Sequence, residues 1–451
     1  MPVGLSKFKY LGDFIGRTMQ DLTETDMDHL VMGLAANGQW ISPSTMVVRV
    51  GTACSGAELY LSALKQLTTA IERRTGIRVV FRHMWSIEIN RLKRDWIQLN
   101  WKPQKLFRDI VQVANDGTGV DVISGVVQEL DACDIVIAGT SCKDASMLSI
   151  HQSERRTAVS DASFTTGSTA AALVKIVVKC GARRVYMENV PGLKHAGEHG
   201  SNFDDLNSIW EAAGFEIRDV IFDAKDAGLP CHRSRLYMEA SRGKHGAASQ
   251  EHVHSVVKRL CQTAQQLSIE EFLLPEHPDL YDDWIGEQGM PRPKERTSKR
   301  RGLPWQEHHG FAWAGSSTAS DKELYAAHLK DNPFFCNLSE REQDALLLKL
   351  CELEFPNSVL TNSFVALEMT LDRIRCRFDM GCLVPNTRVW LTRRGRFLLG
   401  VESLLLQGAD PSDLPALFPR AWSNSFLGDL AGNAFCVPQF FVWLLVCFVT
   451  A

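Results

Sequence analysis

MVVRVGTACSGAELYLSAL, Met46–Leu64, sets an apolar β-branched run against a helical pattern, with Gly51 and Gly56 flanking a tight turn between them. A strand that ends in a glycine turn and opens a helix lets a ligand approach the backbone and the helix N-terminus. On its own such a turn is as often structural as functional. The spacing is not GxGxxG, which argues against a nicotinamide dehydrogenase.

Outward from this unit the same texture repeats. VVFRHMWSIEI (79–89), DIVIAG (134–139), RRVYMENV (183–190), FEIRDVIFDA (215–224) and RLYMEAS (235–241) are apolar runs separated by helical stretches. That alternation predicts an α/β fold, a mainly parallel sheet with helices on both faces. Before residue 46 we expect one short amphipathic helix, with Thr25 and Asp28 spaced as a weak capping box. After residue 241 the rhythm is lost, and six basic side chains crowd between Arg292 and Arg301, upstream of Trp305 and Trp313. An ordered apolar pattern returns in GRFLLGVESLLLQG and LGDLAGNAFCVPQFFVWLL. The terminal run VPQFFVWLLVCFVTA is shorter than the roughly 20 residues that cross a bilayer, so a buried last helix is expected and no membrane partner.

At 451 residues, 45% hydrophobic and 23% charged, the chain has core material for a large two-lobed unit or two to three domains. A net charge of -4 excludes a surface coated in positive charge, though not a local basic groove. Twelve cysteines without a charged-then-apolar leader predict a reducing, intracellular compartment. No CxxC pair occurs, so no structural metal is expected.

In a sheet of this kind ligands sit outside the carboxyl ends of the strands. Glu88 ends the second run, placed to accept hydrogen bonds from ribose hydroxyls; the bland alternative is a solvated acid. Asp109 stands at the next strand end, as a base-binding acid or a helix cap. Cys142 follows a very apolar strand in a polar turn, where a thiol faces the cleft, although a lone cysteine is more often core. Glu188 ends a buried strand, and a carboxyl in an apolar setting has a raised pKa and can donate a proton. Arg233 and Arg235, two apart at the head of a strand, point to one face; paired arginines alone mean nothing.

Taken in order, these segments resemble the cytosine carbon-5 methyltransferases, over roughly residues 47–240 and 386–440. The family's glycine turn, acid after strand two, Pro-Cys turn, Glu-Asn-Val strand end, Gln-x-Arg-x-Arg strand and Gly-Asn-Ser/Ala segment look like Gly51–Gly56, Glu88, Ser141-Cys142, Glu188-Asn189-Val190, Arg233-x-Arg235 and Gly432-Asn433-Ala434. SERRTAVSDASFTTGSTAAAL resembles the loop that closes on substrate, and LLGVESLLLQG the Arg-Leu-Gln-Gly stretch. Cys54 stands where the family commonly has a phenylalanine on the adenine, Ser141 replaces proline and Cys231 replaces glutamine. The nucleophile, the acid and both arginines are intact.

The resemblance implies a Rossmann-like methyltransferase sheet with a smaller, irregular target-recognition lobe. Its segments would be a short N-terminal extension (1–46), a catalytic cofactor-binding domain (47–240), the target lobe (241–400) and a segment returning to the catalytic domain (401–451). It implies S-adenosylmethionine held by Ala53, Cys54, Gly56, Ala57, Glu88, Ile89, Asp109, Ser141, Asn433 and Ala434, and catalysis by Cys142, Glu188, Arg233 and Arg235, without a metal. The expected substrate is cytosine in double-stranded DNA, flipped from its stack, with the Arg292–Arg301 stretch and the two tryptophans gripping the strand. RNA, including tRNA, is the rival substrate, and a catalytically silent nucleic-acid-binding module the rival class. A nuclear location follows if the source is eukaryotic.

Overall fold

The computed structural model describes residues 10–139, 159, 165–195, 200–242, 250–262, 264–275, 329–351, 364–367, 376–377, 380–385, 388–417 and 422–450. Ser141, Cys142 and the loop after them, like Arg292–Arg301, Trp305 and Trp313, lie outside the described residues.

The chain enters through two helices, α1 (Tyr10–Gln20) and α2 (Glu24–Asn37), and an exposed strand β1 (Gln39–Ser42). Then follow β2 (Thr45–Ala53), α3 (Tyr60–Thr75), β3 (Arg78–Ile87), α4 (Arg91–Asn100), β4 (Lys105–Phe107) and α5 (Ile110–Asp116). A small hairpin, β5 (Thr118–Val120) and β6 (Val127–Glu129), precedes β7 (Ile135–Ala138). Next come α6 (Thr165–Cys180), β8 (Arg184–Asn189), α7 (Asn202–Ala212), β9 (Glu216–Phe222), β10 (Arg235–Ser241) and α8 (Gln250–Cys261). The main sheet runs β4-β3-β2-β7-β8-β10-β9, with β1 hairpinned onto β2. Strands β4 to β8 of that order are parallel, and β10 lies antiparallel to both β8 and β9.

The centre of the sheet is buried on both faces, which is why β7 is a continuous apolar run rather than an alternating one. Along β7, Ile135 and Ile137 join one apolar cluster with α1, α3 and α8, whereas Val136 and Ala138 join a second with α5, α6 and α7. Gly51 belongs to the interior of β2, not to the turn the sequence suggested. A Cβ there would fall inside the Trp85 indole, so this glycine makes room for a ring across the β2–β3 pair, next to a register shift.

Later elements build a second layer of organisation. Helix α9 (Glu340–Cys351) accompanies an antiparallel sheet of β11 (Phe364–Ala366), β12 (Cys376–Arg377), β13 (Val389–Leu391) and β14 (Arg396–Phe397), in the order β12-β11-β13-β14. Leu346, Leu350, Val365 and Trp390 give this lobe its own core. The chain then returns through α10 (Gly400–Leu405), α11 (Asn424–Asn433) and α12 (Val437–Val449). By length and composition the stretch Asn424–Val449 could cross a bilayer, but 94% of its most apolar window is buried inside this fold and α11 and α12 are separate helices. At the end of α12, Arg218 and Arg184 both pair with buried Glu239 at 2.6 and 3.0 Å, and both donate to the Cys447 carbonyl. Two guanidiniums at a helix C-terminus satisfy its last carbonyls and complement its dipole.

Three sequence expectations change. The N-terminal segment holds two helices, and α1 buries Leu11, Phe14 and Ile15 in the main core rather than standing apart. The capping box is Thr23–Asp26, two residues earlier than Thr25–Asp28; this register turns Asp26 inward, where Arg259 pairs with it at 2.8 Å. Helix α8, placed by sequence in the target lobe, packs Val253, Val256 and Val257 into the first cluster and so belongs to the main sheet.

Candidate active site

The carboxyl ends of β2, β3, β4, β7 and β8 form one edge, because the register pairs Ala53 with Ile87 and Ala138, Ile87 with Phe107, and Ala138 with Met187. Residues one or two beyond each strand are therefore neighbours. Cys54 N donates to Ile87 O (2.9 Å), Glu88 N to Phe107 O (3.1 Å) and Gly139 N to Ala53 O (3.0 Å), which carries the ladder past the strands into the site.

Along this edge the structure gathers the residues expected to hold a nucleotide. Glu88 is buried and accepts from Asn90 N at 2.8 Å; burial raises its pKa, partly offset by backbone N–H groups of Asn90 and Gly56. Cys54 takes a left-handed backbone, φ 54°, and its thiol is pushed up to about 12 by burial and by the charges of Glu88 and Asp109. Asp109 caps α5 by accepting from Val111 N at 2.8 Å, so the helix-cap reading holds for one carboxylate oxygen. Ile89 is 76% exposed beside Glu88, a large apolar side chain open at the mouth of the edge. Ala53 and Ala57 are buried, and the Ala57 carbonyl accepts from the indoles of Trp96 (3.0 Å) and Trp101 (2.9 Å).

The return segment closes over this turn. Gly56, at φ 63°, lies so close to Asn433 that a Cβ would sit 3.5 Å from the Asn433 Cβ. Asn433 is exposed and donates to Asp429 O at 2.8 Å, while Asp429 pairs with Lys93 of α4 at 3.1 Å. Ala434 is buried, and its carbonyl accepts from Arg233 at 2.5 Å.

Glu188, on β8, faces a different setting from the apolar one expected. Arg235 Nε lies 2.6 Å from its Oε1, and Arg233 Nη2 lies 4.0 Å away. The two arginines differ in what they hold. Arg233 is 2% exposed and donates to the carbonyls of Leu383, Gly432 and Ala434, tying the return segment and the second lobe to the head of β10. Arg235 touches Ser234 O and Cys382 Sγ besides Glu188. Met380–Leu383 is a contributor that sequence reasoning missed. It bridges to Cys231 and accepts from His232 N at 2.9 Å, but it carries no periodic or motif signal.

Sequence reasoning also missed a cluster beneath the turn. Glu58, 1% exposed, receives Thr52 Oγ1 at 2.5 Å and Ser86 Oγ at 3.0 Å, with His83 Nε2 3.8 Å from its second oxygen. Among the described residues no group of His, Cys, Asp and Glu is arranged to hold a metal.

A profile of the C-5 cytosine-specific DNA methylases matches residues 61–302, more than half of the chain. A protein named DNA (cytosine-5-)-methyltransferase DMT5, from Cryptococcus neoformans var. grubii, is 27% identical over 417 residues, covering 86% of this chain and 16% of that protein. One of the same name from Verticillium dahliae is 36% identical over 104 residues, 22% of this chain and 4% of that one. The chain thus spans under a fifth of the length of these relatives. A putative DNA modification methyltransferase from an Escherichia coli prophage superposes with a TM-score of 0.47 at 15% identity, covering 89% of this chain and 98% of that one.

Proposed function

Because the chain belongs to the C-5 cytosine-specific DNA methylases, we propose that it transfers a methyl group from S-adenosylmethionine to carbon 5 of cytosine in double-stranded DNA. The observation that carries this reading is the Glu188–Arg235 pair at 2.6 Å, set on the same sheet edge as the Cys54, Glu88 and Asp109 group. A substrate ring and an adenosine would meet across that edge.

The residues present fit the donor. Glu88 and Asp109 offer carboxylates for ribose and base, the positive-φ turn at Gly56 aims its backbone N–H at Glu88, and exposed Ile89 offers an apolar surface to the purine. Cys54 replaces an aromatic packing partner with a small thiol, which weakens the grip on the base but leaves the polar contacts. S-adenosylmethionine supplies an electrophilic methyl group.

The chain's own residues do the rest. Carbon 5 of cytosine is a poor nucleophile until a group adds to carbon 6, and the Cys142 thiolate makes that addition. Glu188 hydrogen-bonds ring nitrogen 3 as charge develops there, and Arg235 binds the carbonyl oxygen at position 2 while it orients the acid. Arg233 acts from behind, as a positioning residue for the strand end. After methyl transfer the carbon-5 proton leaves, the thiol is released and aromaticity returns. A duplex target has to be flipped to reach the thiol, at a cost of a few kcal/mol.

Covalent trapping tests the proposal. The protein is mixed with S-adenosylmethionine and duplex DNA, or matched RNA, in which 5-fluorocytosine replaces cytosine. Fluorine cannot leave as a proton does, so the thiol link persists. We expect a denaturation-resistant adduct on DNA that vanishes in Cys142→Ala. An adduct on RNA alone moves the substrate to RNA, an adduct that survives Cys142→Ala rejects the nucleophile, and no adduct on either favours a silent module.

A further inference from the structure

The turn between β2 and α3 is built against local preference. Cys54, Gly56 and Glu58 all adopt left-handed backbone, at φ 54°, 63° and 53°, and two of the three carry side chains that disfavour it. Such a conformation persists only where its surroundings over-determine it. The surroundings here are specific. Ser55 Oγ lies 2.6 Å from the Tyr60 hydroxyl, the Ala57 carbonyl takes two indole N–H bonds, and Glu58 sends its carboxyl down between β2 and β3.

We propose that Glu58 is a positioning residue for methyl-donor binding, strapping the turn Cys54–Glu58 to the sheet through the hydroxyls of Thr52 and Ser86 with His83 behind them. This inference rests on the donor-site reading above. Thr52 and Ser86 are fully buried and face each other across the β2–β3 register, 2.8 Å apart at their oxygens. Their hydroxyls both reach the carboxyl, Thr52 at 2.5 Å on Oε1 and Ser86 at 3.0 and 3.2 Å on Oε1 and Oε2. His83 Nε2 is 3.1 Å from the Thr52 hydroxyl and 3.0 Å from that of Ser86.

A buried carboxyl among hydroxyls is costly to retain, and no step of the proposed chemistry uses it. Its position explains it: Glu58 is the last residue of the turn whose Gly56 N–H faces Glu88. Burial pushes the carboxyl up to about 8, so near neutral pH it keeps its proton and both donates and accepts within the cluster. A glutamine amide can do the same. With the strap cut, the turn is free to relax toward right-handed backbone and its amide groups swing away from the donor.

The test measures binding of S-adenosylmethionine to the full chain by calorimetry, with hydrogen exchange of a peptide spanning 52–60 in the donor-free protein. Glu58→Gln should bind within about threefold of wild type, since the amide conserves the strap. Glu58→Gly relieves the backbone conflict but removes the strap, and Glu58→Ala keeps the conflict and removes the strap. Both should weaken binding about tenfold, the effect of one buried hydrogen bond, and both should exchange faster at 54–58. A merely structural role would lower Tm while leaving the affinity of the folded protein unchanged. If Glu58→Ala fails to fold, Ser86→Ala carries the same test: weaker binding supports the strap and unchanged binding overturns it. Wild type that binds while Glu58→Gly binds equally well overturns this inference alone. Wild type that binds no donor overturns the donor-site reading, and the inference with it.

Discussion

Glu58 and His83 sit in one buried cluster, and burial moves them in opposite senses, the carboxyl from 4.5 up to about 8 and the imidazole from 6.5 down to about 4. For the carboxyl, the folded state holds a proton that the unfolded state has released, so stability falls as pH rises from 4.5 toward 8. For the imidazole the unfolded state holds the extra proton, so stability is fully present above 6.5 and is lost as pH falls toward 4. The two slopes cancel from 4.5 to 6.5, leaving the carboxyl's alone above that. Glu58→Gln keeps the imidazole's slope and loses the carboxyl's, so it should gain on wild type throughout the window from pH 4.5 to 8, by on the order of 1 kcal/mol per pH unit, in urea unfolding followed across pH. Equal pH profiles would show that Glu58 is ionised throughout. None of this was legible in the sequence. A glutamate after Gly-Ala in a loop reads as a solvated charge, and only the pairing of β2 with β3 puts Thr52, Ser86 and His83 beneath it. Glu188 and Arg235 were legible, because each stands at the end of a long apolar strand and their pairing follows from the adjacency of β8 and β10.

Elements were readable in proportion to their length. The runs at 46–50, 79–89, 134–139, 183–190, 215–224 and 235–241 each overlap a strand of the main sheet, since a buried strand keeps most of its positions apolar. Strands β12 and β14, two residues each, offer no period to detect. Close approach of backbones is equally silent in sequence. Gly432 ends α11 against Val384 and Pro385, whose backbone atoms a Cβ would strike. Backbone cannot rotate aside as a side chain can, so Gly432→Ala should push α11 from that segment at a cost of about 1–3 kcal/mol. It should also displace the Gly432 carbonyl from Arg233 and move Asn433 relative to Gly56. Thermal unfolding reports the first effect, and weaker S-adenosylmethionine binding reports the second. An unchanged Tm would mean that the Val384–Pro385 segment yields.

At the scale of the molecule, the sequence divided the chain at 46, 240 and 400, while one apolar cluster takes in Leu11, Val253, Val389 and Val401 alike. Within it α1 and α8 share the cluster with α12, because each presents an apolar stripe to the same face of the sheet. Helix α12 is the centre of that cluster, buried at every position from Val437 to Val449. Ending the chain at Cys436 should leave Tyr60, Tyr186 and Phe14 without their aromatic partners Phe440 and Phe441 and abolish cooperative unfolding, seen as loss of a calorimetric transition. A retained transition would place the core's stability elsewhere.

The same burial sets a timetable. The last strand of the main sheet ends at Ser241, and the helix that seals one of its faces ends at Val449, roughly 200 residues later. At about 5–20 residues per second, a ribosome needs ~10–40 s to make that stretch, and throughout it this face of the nascent sheet lacks its central helix. The order of the elements thus delays completion of this core until the last helix emerges.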